Sequence, residues 1–366
     1  MKDTVLFFRS RTLSYSSEEI FLEQIINAFQ KAGFQVEVCF LGKIEQEEEK
    51  LCSFIGKSYR AIVDLNSTLP VVTVDGEYLL NQIDAPFYQV ILDHPMHLEE
   101  RLGVRLNRYH VVCVDEEHSR YVQKHFPHIK SVQTMYYPGI KAQREIPFEK
   151  RKYALLFAAT YAPLSFFEDK LKTASQKVWT LTGEILEEMI SGAGFEQAVM
   201  NVCQKRFLPQ YPSLAPVAYA DRYIRAWMRE RLVDALVEAQ VPLTVCGINW
   251  DLYAKAKELN WIGSAHYRDV IELEADAKAV LNLQPLFLDG LHDRGANAFA
   301  NQCVLVSDHC KFLKRNMPDA YIDFDVLDES CGCKIKEKLE RSDLPSMARL
   351  ARDRWRELSL DWRFEV

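Results

Sequence analysis

The chain has 366 residues, of which 48% are apolar and 27% are charged, as in ordinary soluble globular proteins. This length allows two domains, each with its own hydrophobic core. The net charge of -7 and the pI near 5.8 argue against nucleic acid as the main partner, because binding its phosphates requires a surplus of Lys and Arg.

The chain also lacks the sequence signals of secretion and membrane insertion. The apolar run before Arg9 has four residues, which is too short for the core of a signal peptide. No later apolar run is long enough to cross a bilayer. Four of the nine cysteines lie within apolar, strand-like runs, where cysteine packs as a small core residue: Cys39, Cys113, Cys246 and Cys303. We therefore expect a cytoplasmic protein with no transmembrane segment.

Residues 1–140 alternate between short apolar runs and amphipathic helical segments. The runs predict strands at 4–8, 36–40, 61–65, 88–92, 111–114 and 132–135. This alternation is typical of a parallel, doubly wound sheet, so we predict a Rossmann-like domain. Polar side chains cluster where the predicted strands end, at Asp93, His94, Asp115 and His118. Such an edge is where open α/β sheets bind ligands, and we expect it to form one wall of a cleft.

A polar segment without periodicity follows at 141–152 and is predicted to be a domain linker. Residues 153–343 return to alternating strands and helices, interrupted by an almost entirely helical insertion at 166–239. The pattern of residues 344–366 predicts a C-terminal amphipathic helix. The predicted fold class is therefore α/β, with two facing Rossmann-like domains and a helical insertion in the second.

The stretch from Ala279 to Asp308 carries the strongest signal in the chain. A mostly apolar run at 279–283 leads into a polar loop that contains Asp289, Gly290 and His292. A short helical segment and a second apolar run follow the loop. Because the first turn of a helix offers unpaired N–H groups and a positive dipole end, we expect this loop to hold an anion such as a diphosphate.

Several motifs expected for other nucleotide-binding enzymes are absent from the sequence. Neither half carries a G-x-G-x-x-G fingerprint after its first strand, and there is no P-loop lysine motif. The chain instead resembles bacterial glycosyltransferases of the GT-B fold, in particular the spore-maturation-type (CgeB-like) group, which is similar to glycosyltransferase family 1. The resemblance rests on the order and spacing of these segments: Asp93-His94-Pro95; Asp115 with His118 and Tyr121; Thr160-Tyr161; Gly247-Ile-Asn-Trp250; and Asn282 through Asp308.

This resemblance implies an enzyme that transfers a sugar from a nucleotide-diphosphate sugar to an acceptor. The second domain would bind the donor, and the first would face the acceptor, which can be a glycan, a protein or a small molecule. We expect no cofactor and no divalent metal at the catalytic step, because a helix dipole together with Arg294 can carry the diphosphate charge.

Many retaining GT-B enzymes carry two acidic residues in an E-x7-E spacing at the donor site. Asp289 and Asn297 stand at that spacing, so the resemblance places Asp289 beside the donor sugar and Asn297 beside the ribose. Asn297 is a departure from the pattern, since an amide forms a hydrogen bond without the added strength of a charge. Arg294 can form a bidentate contact to the diphosphate, and Gly290 allows the backbone to approach the ligand closely.

For the other donor contacts, the resemblance places Thr160 and Tyr161 beside the donor phosphate. Gly247, Asn249 and Trp250 would surround the nucleobase, with Trp250 stacked on it. Tyr267 would lie near the same base pocket.

His94 is the candidate catalytic residue of the first domain. A neutral imidazole at a strand end can act as a general base towards an acceptor hydroxyl or donate a hydrogen bond to the donor sugar. Asp93 would orient His94 or serve as the base itself, and His118 and Tyr121 are further candidates.

Two rival functions are compatible with the same sequence features. A nucleotide-sugar 2-epimerase shares the architecture, and the amide at Asn297 also suits a catalytically degenerate subunit that binds a partner. The donor sugar, the base, the acceptor and the stereochemical outcome are not specified by the sequence, although the acidic spacing favours retention.

Overall fold

The computed structural model describes residues 3–10, 17–42, 47–206 and 217–366. The chain divides into two compact units. Unit 1 comprises the residues up to Pro138 together with His266–Arg268 and Leu360–Val366, and unit 2 comprises Gly139–Ala265 and Asp269–Ser359. Each unit is built around its own six-stranded parallel sheet, which confirms the predicted fold class.

The sheet of unit 1 has the strand order β2-β1-β3-β6-β7-β8, and every neighbouring pair is parallel. Its strands are β1 (Thr4–Ser10), β2 (Gln35–Leu41), β3 (Ala61–Leu65), β6 (Phe87–Ile91), β7 (Tyr109–Cys113) and β8 (Ser131–Thr134); β4 (Thr73–Val74) and β5 (Glu77–Tyr78) form a separate antiparallel pair. The helices are α1 (Ser17–Lys31), α2 (Glu48–Cys52), α3 (Glu99–Leu102) and α4 (Glu116–His125). All residues of β3 and β6 are buried, which explains why their sequences are apolar apart from Asp64 and Gln89.

The sheet of unit 2 has the order β11-β10-β9-β12-β13-β14, again with parallel neighbours. Its strands are β9 (Tyr153–Ala158), β10 (Leu243–Cys246), β11 (Asn260–Trp261), β12 (Ala277–Asn282), β13 (Val304–Asp308) and β14 (Ile322–Phe324). The chain leaves β9 towards β10 on one side and later returns to β12 on the other side. The carboxyl ends of β9 and β12 therefore form a topological switch point, where open α/β sheets bind their ligands.

Helices of unit 2 fall into two groups. Between β9 and β10 lie α5 (Leu164–Ala174), α6 (Gln176–Ile190), α7 (Phe195–Lys205) and α8 (Ala218–Glu238), in agreement with a helical insertion at 166–239, of which 207–216 lie outside the described residues. The others are α9 (Tyr267–Ala275), whose first two residues belong to unit 1, α10 (Asp293–Ala300), α11 (Lys311–Asn316), α12 (Cys331–Leu339) and α13 (Leu344–Glu357). Among the described residues, no helix is both long and apolar enough to span a membrane.

The boundaries of the units differ from the predicted domain limits in two places. Residues 139–152, which include the predicted linker, belong to unit 2. The predicted C-terminal helix ends at Glu357, and Leu360–Val366 continues as an extended tail that belongs to unit 1.

Two aromatic side chains attach this tail to unit 1. Trp362 packs against Phe21 with ring centroids 5.8 Å apart, and Phe364 packs against Phe29 at 5.3 Å. Both tail rings are only 7% exposed. Next to them, the side chain of Gln133 donates to the Glu365 carbonyl at 2.9 Å and accepts from its amide at 3.1 Å. The tail therefore contributes to the core of unit 1.

Truncation of either ring is expected to destabilise unit 1. Trp362→Ala or Phe364→Ala should lower the free energy of unfolding by about 3–5 kcal/mol, because a buried aromatic is lost and a cavity remains. Urea unfolding followed by fluorescence and circular dichroism measures this. Arg363→Ala, between the two rings but exposed, is the control and should change stability by less than about 0.5 kcal/mol. Equal effects of Trp362→Ala and Arg363→Ala would contradict a core role for the tail.

Candidate functional site

Arg294 lies at the switch point of unit 2. It is in the first turn of α10, and its Nε donates to the carbonyl oxygen of Ala158, the last residue of β9, at 3.0 Å. One terminal nitrogen donates to Oδ1 of Asn282, the last residue of β12, at 3.0 Å. The guanidinium group therefore spans the carboxyl ends of the two central strands and remains partly exposed.

A buried polar network fixes this position of Arg294. The Asn282 amide donates to Oε1 of Gln284 at 2.8 Å and to the Ser307 hydroxyl oxygen at 3.0 Å. Oε1 of Gln284 also accepts from the backbone N–H of His292, which is the N-cap of α10. Asn282, Gln284 and Ser307 are at most 3% exposed. Because such networks have one satisfied arrangement, they hold the first turn of α10 and the arginine in place.

A second arginine, Arg229 on α8, lies within electrostatic range of Arg294. Burial, and after it the positive charges of Arg225 and Arg294, lowers the pKa of Arg229 to about 10. Arg225 is paired with Asp221 at 2.8 Å, but Arg229 has no carboxylate partner in the part of the chain that is described, and its buried Nε has no hydrogen-bond partner there. A buried, unpaired donor is costly unless a ligand satisfies it. The two guanidinium groups thus form a site with uncompensated positive charge.

Sequence reasoning missed Arg229, although a signal was present. Arg225 and Arg229 stand four residues apart, so they lie on one face of α8 with like charges, a spacing that destabilises a helix on its own. The sequence analysis treated this helix only as part of an insertion and assigned no role to the pair.

The loop before α10 places its candidates within a hydrogen-bonded turn. Asp289 is 5% exposed, and its Oδ1 accepts from Arg315 of α11 at 3.0 Å. The Gly290 carbonyl accepts from the Cys310 thiol at 2.7 Å. Nδ1 of His292 accepts from the backbone N–H of Arg294 at 3.5 Å. Contact of Asp289 with a donor sugar stays a prediction.

Asn297 lies in the middle of α10 and is 1% exposed. Its Oδ1 accepts from the backbone N–H of Ile140 at 2.8 Å. The neighbouring Gly139 has a φ of +80°, and a Cβ there would lie 2.4 Å from the carbonyl oxygen of Ala296. The amide therefore anchors the incoming chain closely against α10, while a ribose contact stays a prediction.

The residues expected around the nucleobase lie at the ends of β9 and β10. Gly247 has a φ of +148°, and a Cβ would lie 2.1 Å from the Ala159 carbonyl oxygen, so only glycine fits. The side chain of Trp250 is fully buried, and its Nε1 donates to the same oxygen at 2.7 Å. Stacking of Trp250 on a base stays a prediction that requires the indole to become exposed. Asn249, in contrast, is exposed and has a left-handed backbone.

Tyr161 and Thr160 follow β9. Tyr161 is 4% exposed, its hydroxyl donates to Glu230 of α8 at 2.7 Å, and its ring packs against Trp250 at 5.3 Å. This contact ties the end of β9 to the helix that carries Arg229. Thr160 is half-buried beside it. Tyr267 belongs to unit 1, where its ring packs against Phe21 at 5.2 Å.

In unit 1, the structure brings three predicted residues together. The rings of His118 and Tyr121, both on α4, lie 4.7 Å and 5.1 Å from the ring of His94. Nδ1 of His94 accepts from the backbone N–H of Met96 at 3.2 Å. Asp93 does not join this group, since its Oδ2 accepts from the Asn66 amide at 2.8 Å. The catalytic roles of His94 and Asp93 stay predictions.

Metal ligands do not cluster in the described ranges. No group of three or more His, Cys, Asp or Glu side chains there could hold a metal ion. Asp323 and Asp325, two residues apart at the end of β14, are engaged with His309 at 2.7 Å and with the Leu327 amide at 2.9 Å.

Comparison with known proteins gives a match at the level of structure. No protein family model and no curated protein sequence matches the chain. An alpha-glucosyltransferase solved with UDP and a 13-mer DNA superposes with a TM-score of 0.56 at 11% identity, covering 97% of this chain and 95% of that one. Sucrose-phosphate synthase from Thermosynechococcus elongatus gives 0.54 at 11% identity (99% and 96% covered), and Anabaena HepE in complex with UDP and glucose gives 0.54 at 12% (98% and 96%). The chain has the GT-B fold.

The GT-B fold and the fold class were thus both predicted correctly from the sequence. At identities of 11 and 12%, the shared feature is the architecture of the two α/β units. The function of this GT-B chain therefore has to be argued from its own residues.

One buried acid beneath the site was also missed by sequence reasoning. Glu274 of α9 is 1% exposed, and its Oε2 has no hydrogen-bond partner among the described residues. Burial, and then the negative charge of Asp293, raises the pKa of Glu274 to about 8, against the opposing effects of Arg294 and of a hydrogen bond from Asn297. The folded protein therefore holds a proton on Glu274 at neutral pH.

This proton makes stability depend on pH. Because the pKa is higher in the folded state, the stabilisation is complete below the unfolded value near 4.3 and is lost as the pH rises through about 8. Between these values, Glu274 should reduce the free energy of unfolding by up to about 1.4 kcal/mol per pH unit.

Glu274→Gln is expected to remove that slope and to be more stable than the wild type at pH 8–9. Urea unfolding at pH 5 to 9 measures it, with the exposed Glu258→Gln as the control. Parallel pH profiles for Glu274→Gln and the wild type would show that Glu274 is not protonated in the folded state.

Proposed function

We propose that the protein is a glycosyltransferase that binds the diphosphate of a nucleotide-diphosphate sugar between Arg229 and Arg294 of unit 2. The main support for this proposal is the positive charge of these two residues, which no described carboxylate neutralises, together with the position of Arg294 at the switch point of a Rossmann-like sheet. A diphosphate supplies the negative charge and the acceptor oxygens that the buried Nε of Arg229 lacks. The GT-B neighbours solved with UDP support this proposal.

The same two groups suit the chemistry of glycosyl transfer. When the bond between the anomeric carbon and the diphosphate breaks, negative charge develops on the leaving phosphate. Fixed cations at that point stabilise the transition state more than the ground state, and they do so without reorganisation because the network below Arg294 holds it. This mechanism needs no divalent metal, as the sequence predicts.

The first test is donor binding. Thermal-shift screening against a panel of nucleotide-diphosphate sugars, followed by calorimetry on the best ligand, should show binding to the wild type. Arg294→Ala and Arg229→Met should each weaken affinity about ten- to a hundredfold, since each removes hydrogen bonds from a charged group worth about 1.5–3 kcal/mol. Because Arg229→Met removes a charge that repels Arg294, the unliganded variant should be at least as stable as the wild type.

Arg222→Ala is the matched control, an exposed arginine on the same helix, and it should bind the donor as the wild type does. Undiminished affinity in both Arg229→Met and Arg294→Ala, or no stabilisation of the wild type by any nucleotide sugar, would overturn the donor site.

The second test separates transfer from its rivals. Nuclear magnetic resonance of the reaction with the bound nucleotide sugar should show the sugar released from the nucleotide, by transfer or by slow hydrolysis. An isomerised nucleotide sugar would instead identify an epimerase, and an intact donor would identify a binding subunit. If His94 is the base, His94→Ala should slow turnover about 10²- to 10⁴-fold without changing donor affinity.

A further inference from the structure

A second group of cations lines a cavity of about 290 Å³ in unit 2. Its charged residues are Lys141, Arg144, Arg151, Arg352 and Arg356, with Glu145 as the carboxylate among them. The first three come from the segment before β9, and the last two stand four residues apart on α13. Such an excess of like charge in one concavity indicates an anionic occupant.

This cavity is separate from the Arg229 and Arg294 site. Arg151, which is 8% exposed, donates to the carbonyl oxygen of Ala277, the first residue of β12, at 3.0 Å and to that of Gln302 at 2.8 Å. These contacts lie at the amino edge of the sheet, whereas Arg294 contacts the last residues of β9 and β12. The helix α10 begins at the one site and ends beside the other, since Ala300 lines the cavity.

Two of the five cations keep an uncompensated charge. Lys141 pairs with Glu145, Arg144 with Glu272 at 3.2 Å, and Arg352 with Asp353 at 2.9 Å. Arg151 donates to backbone carbonyls, including that of Asn301 at 2.9 Å, which satisfies its N–H groups but leaves its charge unpaired.

The side chain of Arg356 has neither a hydrogen bond nor an ion pair with any described residue, and it lines the cavity. The pKa of Glu145 is lowered first by its hydrogen bond from Lys141 and also by the charges of Arg356 and Arg352. The positive charges of α13 therefore act on the segment that carries Lys141 and Glu145, and the guanidinium donors of Arg356 are available.

The remaining lining gives the occupant an apolar part. Ile146, Phe148, Ala275 and Ala300 contribute aliphatic and aromatic surface beside the cations, and the Arg151 guanidinium lies 5.4 Å from the centre of the Phe148 ring. A volume near the lower end of the range for ligand pockets, roughly 300–1,000 Å³, suits a compact molecule.

We propose that this cavity binds a small phosphorylated organic anion, with the phosphate on the guanidinium group of Arg356, attracted also by the unpaired charge of Arg151, and the organic part against Phe148 and Ile146. Phosphate suits these donors because guanidinium groups bind it through paired hydrogen bonds. The proposal is independent of the donor site, and its failure would leave the proposed function untouched.

Phenyl phosphate is the probe, because it joins a phosphate to a compact apolar group. Calorimetric titration of the full-length protein should show binding, and Arg356→Glu should weaken it at least about tenfold, since a charged hydrogen-bond donor is replaced by a repelling carboxylate. Arg349→Glu, an equal charge reversal at an exposed position of α13 outside the cavity, should weaken it less than about threefold. In the Arg294→Ala background, which weakens any binding of the probe at the donor site, the difference between Arg356→Glu and Arg349→Glu should persist.

Circular dichroism and the midpoint of thermal unfolding establish that each variant is folded, and Arg356→Ala is a second, milder substitution with the same expected direction. No binding of phenyl phosphate to the wild type, or equal affinity in Arg356→Glu and Arg349→Glu, would overturn the proposal. Loss of the difference between Arg356→Glu and Arg349→Glu in the Arg294→Ala background would also overturn it, because the binding would then belong to the donor site.

Discussion

The constraint on which the site depends is the placement of two guanidinium groups within electrostatic range of each other, with no carboxylate among the described residues paired to either. Arg294 is held by the carbonyl oxygen of Ala158 and the side chain of Asn282, both uncharged acceptors. Arg229 is partly desolvated and has a lowered pKa. Isolated charges in such surroundings are unfavourable, so the rest of the fold has to maintain them. Sites of this kind are typical of ligand binding rather than of structural ion pairs.

The surrounding structure supplies that support from two directions. First, Asn282, Gln284 and Ser307 form a buried hydrogen-bond network that holds the first turn of α10 in position. Second, the Tyr161 hydroxyl, which follows β9, donates a hydrogen bond to Glu230, the residue after Arg229 on α8. The helical insertion is therefore part of the site, because its last helix carries one of the two arginines.

The sequence was sufficient for the parts of this structure that depend on local periodicity. The strand Ala61–Leu65 is a mostly apolar run, and it was predicted with the bounds that the structure shows. Arg294 was predicted as a ligand-binding residue because a cluster of polar residues between a strand and a helix is typical of the ligand-binding edge of an α/β sheet.

Other features depend on contacts between distant segments and had no local signature. Arg229 became a site residue only through the fold, which ties α8 to Tyr161 after β9 and brings Arg229 within electrostatic range of Arg294. Glu274 is one of several charged residues on α9, and its burial is evident only from the packing of the folded chain. Asn297 matched the spacing of a donor-site residue. The structure shows in addition that its side chain accepts a hydrogen bond from the backbone of Ile140, a structural role that the spacing does not reveal.

The most direct measurement is a crystal structure of the protein with the nucleotide diphosphate of its best donor. Phosphate oxygens are expected about 2.7–3.2 Å from the nitrogens of both Arg294 and Arg229, with Nε of Arg229 hydrogen-bonded to one of them. A diphosphate bound elsewhere, with Nε of Arg229 still unpartnered, would contradict it.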